Sequence, residues 1–520
     1  MVIRGARTGT IGFASVLAVA CTATAPTSPA LPGPVPSMKS APLVIAPGDV
    51  AELTLVKGAF GGSIATPKGD EQLIVVVAST TLEASRAPLA WSLESGRARE
   101  GAKASLVTGC SLAADAWRSK VVAAETAPMA TARSVTPGAT RTVHAPVAKG
   151  FEDIQVKAVA VGKHAVVWAD VTPAHPAVLD AAFVGKFLAD FDDTILPRGR
   201  TIFGVESDVD GDGRIHLIFT PLTREAKGTV AFFSGCDLVK WKDCATSNGG
   251  EYLWLTPPNA IDSPYNTPNA MKEILAHELA HLLHFNRKVL RNHASDWTDS
   301  GYLIEGVGGL AQDVIGPQAG NLYVTQAGLD GIASFSLGDV LVDGTPYDRS
   351  RDGVLRGGAY LFMRWLYDRA GGDSANADGT IEGRGGPALL RALLDVPVSV
   401  ASALPDVTRS TAAAVAVDFY TTLAMSNRSQ VGGVAPTNPC FSYLATQIDP
   451  VTARQRGADD FARFHGTQMK GPATTEAQSG TVRAGGVAYV IVTATAAPSL
   501  DLTVKVDAKA APRVRVGRLR

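Results

Sequence analysis

The sequence predicts a mixed α+β protein in which a helix-bearing central segment is flanked by two small all-β modules. Three observations carry this expectation. Short runs rich in β-branched and aromatic residues, bounded by Gly, Pro and polar turns, cluster toward both ends of the chain. Stretches in the middle carry apolar residues at helical spacing, and 52 Gly and 31 Pro among 520 residues favour many turns over long helices. At ~100 to 200 residues per domain the chain is too long for one compact core. Hydrophobic residues are 46% and charged ones 19%, the balance of a folded chain, and Lys+Arg 48 against Asp+Glu 49 leaves a formal net charge of -1. That near-neutrality offers no field for nucleic acid and argues against it as a partner.

Residues 1–20 read as an export signal, with Arg4 and Arg7 as the positive start, Ile11 to Ala20 as the short apolar core and Ala18-Val19-Ala20 as the cleavage site. Cys21 follows at once, as at the lipidation site of a bacterial lipoprotein signal, although Ala18 stands where such signals favour Leu. The expected destination is outside the cytoplasm, either at the cell envelope through a lipid on Cys21 or free in the medium. That anchor is the one expected membrane contact, because no later run of ~20 apolar residues offers a spanning helix. Residues 21–42, including TATAPTSPALPGPVPS, are rich in Pro and small residues and are expected to form a tether.

Residues 43–145 are expected to be a β domain, with strands at Ala51 to Val56 and Leu73 to Ser79. Residues 431–520 have the same texture, with strands at Val487 to Ala494, Leu500 to Val506 and Val514 to Leu519, and are expected to be a second module. Neither carries a catalytic cluster, so structural, binding or, for the first, inhibitory roles fit them.

The catalytic domain is expected over 150–430. Ile154 to Val161 and Ala165 to Ala169 read as strands, and Ala177 to Phe191 as an amphipathic helix ending before Pro197. In Asp208-Val209-Asp210-Gly211-Asp212-Gly213 the carboxylates alternate as at the start of a calcium loop, which makes Asp208, Asp210 and Asp212 candidate Ca2+ ligands. The twelfth position from Asp208 is Phe219 rather than a bidentate Glu, so an Asp/Gly turn between strands competes with that reading. Besides Cys21 the cysteines are Cys110, Cys236, Cys244 and Cys440, an even set that suggests disulfides in an exported chain. Cys236 and Cys244 flank DLVKWKD and can close a small loop, leaving Cys110 and Cys440 for a long-range pair. Glu251 to Leu255 reads as a strand whose edge can receive an extended peptide.

Asn269 to Asn286, NAMKEILAHELAHLLHFN, carries the chemistry. Thr267 can cap a helix here, Pro268 suits its first turn, and Met271, Ile274, Leu275, Leu279, Leu282, Leu283 and Phe285 spread a broad apolar surface. His277-Glu278-Leu279-Ala280-His281 is an H-E-x-x-H pattern. Histidines four apart on a helix can present two imidazole nitrogens to one Zn2+, with Glu278 placed as general base toward water. Unpaired polar groups on a buried helix cost a few kcal/mol each, and a metal compensates them. Catalytic zinc usually takes a third protein ligand. His284 lies a further turn along the helix, Asp299 sits in the loop beyond, and Glu305, 24 residues after His281 (305 minus 281), falls in a second apolar helical pattern and is the preferred ligand.

HELAHLLHF followed by LIEGVGGLAQDV resembles the gluzincin arrangement, and specifically the hyicolysin-type neutral metallopeptidases, whose pattern is HELQHMINF followed by W-x-x-EGLA. FGVESDVDGDGRIHLIFTPL and GGAYLFMRWLYDRAGG extend the resemblance over about Phe151 to Ser426. Ala280 for Gln, Val307-Gly308 for Leu-Ala, and a Trp297 further from the Glu depart from the pattern. The resemblance implies zinc, a zincin-like fold and hydrolysis of peptide bonds in a protein or peptide substrate. A surface adhesion lipoprotein whose β modules do the work around an inactive metal site is the alternative from another class, and a zinc hydrolase of a non-peptide bond is a second.

Overall fold

The computed structural model describes residues 41–520 apart from 84–87, 96–102, 114, 119, 121, 124, 130–134, 228, 243, 245, 295–296, 298, 317–320, 343–349, 427–431, 444–446, 459–463 and 472–475. The export signal, nearly all of the 21–42 tether and Cys21 lie outside the described residues.

Strands from the two ends of the chain build one two-sheet sandwich. Gln72–Ser79 is buried along almost its whole length, so it needs neighbours on both edges and both faces. It lies between two C-terminal strands, with Val75 opposite Val490 of Val487–Ala494 on one side and opposite Val516 of Pro512–Arg518 on the other. In the second sheet, Ser499–Val506 pairs with both Ala59–Ala65 and Leu89–Ser95. Val75, Val77, Phe60, Leu93, Leu502 and Val504 close the space between the sheets. The segments expected to form separate modules, 43–145 and 431–520, therefore interleave, because each set of strands alone would leave Gln72–Ser79 with an open edge. Ile74 and Val76, on the opposite face, pack with the helix Ala412–Met425, and Arg515 from the sandwich bonds Asp418 of that helix at 2.6 Å.

The central segment folds on a six-stranded sheet in the order Ala231–Phe233, Tyr252–Leu255, Ile215–Phe219, Ala165–Asp170, Gly150–Val161, Thr140–Val147. Since Thr140–Val147 pairs with Gly150–Val161, the first β segment gives way to the central one before residue 145. Tyr252–Leu255, Ile215–Phe219 and Ala165–Asp170 run parallel, and the pleat sorts their side chains. Leu217, Phe219, Leu253 and Leu255 face the helices, while Ile218, Trp254 and Trp168 form a separate cluster on the far face. Tyr252–Leu255 has neighbours on both sides, so the edge expected there belongs to Ala231–Phe233 instead.

The helix expected to stop before Pro197 runs on: Ala181–Asp190 passes through a wide turn at Phe191–Ile195 into Leu196–Phe203. The wider turn accommodates a proline that lacks an N–H to donate. Cys236 bonds Cys244, closing the loop after Ala231–Phe233, and Cys110 bonds Cys440.

Candidate metal centre

The motif helix spans Pro268–Phe285 and starts where capping chemistry requires, with Thr267 Oγ1 accepting from the Ala270 N–H at 3.2 Å and Pro268 in the first turn. Met271, Leu275, Leu279, Leu282 and Leu283 are fully buried. This seating leaves no freedom in which way His277 and His281 point, and their rings meet edge to face at 4.6 Å.

A second helix, Gly301–Val314, is capped by Ser300 and crosses the first. Glu305, Gly308 and Gln312 stand at i, i+3 and i+7 and so share one face. All three meet His277. Glu305 Oε2 is 3.3 Å from its Nε2, and its Nδ1 lies 3.0 Å from Gln312 Oε1. A Cβ on residue 308 would come within 2.5 Å of the ring, so glycine there admits the imidazole. Gln312 Oε1 can only accept, which puts a proton on Nδ1; Glu305 favours a second proton on Nε2, which a cation bound there would displace. A third helix, Asp352–Arg369, packs against Gly306 and Gly309 and delivers Arg356, whose Nη1 donates to Glu305 Oε2 at 2.5 Å.

Ligand atoms of His277, His281 and Glu305 lie within 4.8 Å of one another. The polar atoms left over fit a metal. Both ring nitrogens of His281 and Oε2 of Glu278 are buried with no hydrogen-bond partner, a deficit of a few kcal/mol that a cation on one ring nitrogen and its water beside Glu278 would reduce. Protonation states also favour one. Burial opposes charge on Glu305, but Arg356 and then His277 outweigh it and hold the carboxyl far below its ordinary range, ionised. Burial, followed by the His277 charge, keeps His281 well below the usual imidazole value and hence neutral. Glu278 is pushed up by burial, against the pull of His277 and the Phe233 N–H.

The rivals for the third position are tied to each other elsewhere. His284 Nε2 is 3.0 Å from Asp299 Oδ2, while Asp299 Oδ1 accepts from the Val400 N–H at 2.6 Å. Trp297 packs edge-on against His284 and His281, at 5.6 and 6.3 Å. Tyr360 donates to Asp313 at 2.9 Å, so its hydroxyl is committed within the packing. Gln312 and Arg356 were not singled out in the sequence; the i+7 spacing from Glu305 could have indicated Gln312, whereas nothing local marks Arg356.

The candidate calcium carboxylates divide differently from expectation. Asp208 and Asp210 converge with Glu251, and Asp212 joins Asp210 and His216 instead. Trp168 Nε1 donates to His216 Nδ1 at 3.2 Å, so the neutral ring keeps its proton on Nε2, facing Asp210 at 3.2 Å and Asp212 at 3.4 Å. His216 is thus a donor to these carboxylates rather than a ligand beside them. Burial raises the Glu251 carboxyl to about 7.

No protein-family model matches the chain. Among curated proteins it is similar to the neutral metalloprotease ShpI of Staphylococcus hyicus, 28% identical over 116 residues, which are 21% of this chain and 26% of the relative. The match supports a metalloprotease relationship. It spans about a quarter of the relative's length.

Proposed function

We propose that this protein is an exported zinc-dependent endopeptidase with a zincin-like catalytic domain. The observation that carries this reading is the convergence of His277, His281 and Glu305 within 4.8 Å beside the buried, unpartnered Oε2 of Glu278. Zinc held by those three side chains supplies a Lewis acid that activates water and polarises a scissile carbonyl near neutral pH. Gln312 and Arg356 orient His277 and Glu305 from behind. Glu278 takes the proton from the attacking water and returns it to the leaving amine. An extended peptide can add to the edge strand Ala231–Phe233, which packs against the motif helix, by main-chain hydrogen bonds. Two disulfides fit an oxidising compartment, and among the described residues no helix is long and apolar enough to cross a membrane. Anchoring through a lipid on Cys21 rests on the sequence.

Casein hydrolysis by the purified full chain tests the reading. A chelator should abolish cleavage, and Glu278→Gln should lower it ~10²- to 10⁴-fold while zinc content is unchanged. Cleavage that survives both would reject the mechanism.

A further inference from the structure

The Asp/Gly loop at 208–213 is a calcium-like sequence without its closing glutamate. Parallel pairing of two strands supplies one from elsewhere in the chain. Tyr252 lies opposite His216, so the residue before Tyr252 sits beside the loop that precedes Ile215. That residue is Glu251, 43 positions after Asp208 (251 minus 208). Its carbonyl accepts from the His216 N–H at 2.7 Å, and its Oε1 accepts from the Val209 N–H at 3.0 Å, which holds the carboxylate across the loop. Glu251 is only 1% exposed. Oε2 is buried and makes no well-formed hydrogen bond; the Ser207 hydroxyl, likewise without one, is close enough to pull on the carboxyl but does not satisfy it.

We propose that Asp208, Asp210 and Glu251 bind a hard divalent cation, calcium, which ties the 208–213 loop to the strand Tyr252–Leu255. Carboxylate oxygens of the three lie within 4.8 Å of one another, and an all-oxygen set selects calcium over zinc. The loop is shaped in advance. Gly211 and Gly213 take φ of 74° and 71°, which side-chain-bearing residues rarely adopt, and the Gly213 N–H donates to Asp208 Oδ1 at 2.9 Å. Residue 250 must be small, because a Cβ there would approach Asp210 Oδ2 to 2.9 Å. His216 holds Asp210 from behind and remains outside the ligand set. Water and backbone carbonyls complete the coordination, as is usual for calcium. The site shares no residue with the His277, His281 and Glu305 centre and stands whether or not that centre binds zinc.

The test is calorimetric titration of CaCl2 into the metal-stripped full chain, in a Glu278→Gln background that prevents self-cleavage, with and without prior addition of ZnCl2. The expected result is one calcium per chain in both cases, with Kd of roughly 10⁻⁵ to 10⁻³ M. Glu251→Gln keeps the acceptor for the Val209 N–H and should weaken binding at least tenfold, as should Asp208→Asn, which keeps the acceptor for Gly213. Asp212→Asn should change Kd less than threefold. If Glu251→Gln fails by far-UV circular dichroism, Asp208→Asn and Asp212→Asn decide between them. No calcium heat, wild-type affinity in a folded Glu251→Gln, or a larger loss in Asp212→Asn than in Asp208→Asn would overturn the assignment.

Discussion

Gln312→Leu isolates what the second helix does for the zinc site. The side chain is half-buried, and its Oε1 meets His277 Nδ1 at 3.0 Å. In the metal-free protein the change removes one hydrogen bond at a partly exposed position, worth about 1 kcal/mol, and the fold should persist. With zinc on Nε2 the Nδ1–H becomes a stronger donor, so the same deletion is felt more in the loaded state. Loss of such a support costs ~10- to 100-fold in metal affinity, or about 1.4 to 2.8 kcal/mol at 1.4 kcal/mol per tenfold. Gln312→Glu should act in the opposite direction, because a carboxylate acceptor makes the imidazole a better ligand. Competition against a chromophoric zinc chelator at fixed pH measures all three proteins. Wild-type zinc affinity in Gln312→Leu would refute the reasoning, since His277 would then be held by something other than its Nδ1 contact.

Two further outcomes follow from the geometry. Glu305→Ala should lose most bound zinc by elemental analysis while staying folded, whereas His284→Gln, which keeps a donor toward Asp299, should retain it; the reverse pattern would remove Glu305 from the ligand set. His175 is held by Asp170 at 2.7 Å and Glu152 at 2.9 Å, and although burial opposes its charge, these partners raise it above the ordinary imidazole value of about 6.5. A raised folded value means that this stabilisation is complete below about pH 6.5 and is lost as pH rises through the folded value. Melting temperature should therefore decline over that window, and His175→Gln should flatten the decline; an equal slope in both proteins would show that His175 contributes nothing to it.

The parts of this structure that were legible in the sequence are those decided within a few residues. Thr267 and Pro268 start the motif helix because a cap and a missing N–H act locally, and the four-residue spacing sets His277 beside His281 whatever surrounds them. Glu305 could be proposed because the apolar pattern around it predicts a helix, and a ligand from a second helix approaches from a direction the first cannot supply. Strand positions were legible for the same reason, through local β-branched runs. Partnership between strands was not. Val75 pairs with Val490 and Val516, more than 400 residues away (490 minus 75 is 415), and nothing in a strand's own composition says which distant edge it will meet.

The same limit explains Arg356 and Glu251. Arg356 lies in the first turns of Asp352–Arg369, where an arginine is ordinarily a solvated surface residue; only the close approach of that helix to Gly306 and Gly309 turns its guanidinium onto Glu305. Glu251 opens a strand that otherwise reads as buried and apolar, and an acidic residue there ordinarily marks the last exposed position before the sheet. Parallel pairing with Ile215–Phe219 makes it instead the neighbour of the aspartate loop. Glu305 and Glu251 thus differ in what holds them: Glu305 has an arginine beside it and is ionised without any metal, whereas Glu251 has one backbone donor on Oε1 and a second oxygen that makes no well-formed hydrogen bond. A charge already neutralised by protein can be tuned by a cation, whereas at Glu251 a cation would replace the proton that burial otherwise favours. By mass action CaCl2 should therefore raise the melting temperature of the stripped protein, and Glu251→Gln should remove most of that rise. An equal rise in both proteins would show that the Glu251 carboxylate does not hold the cation.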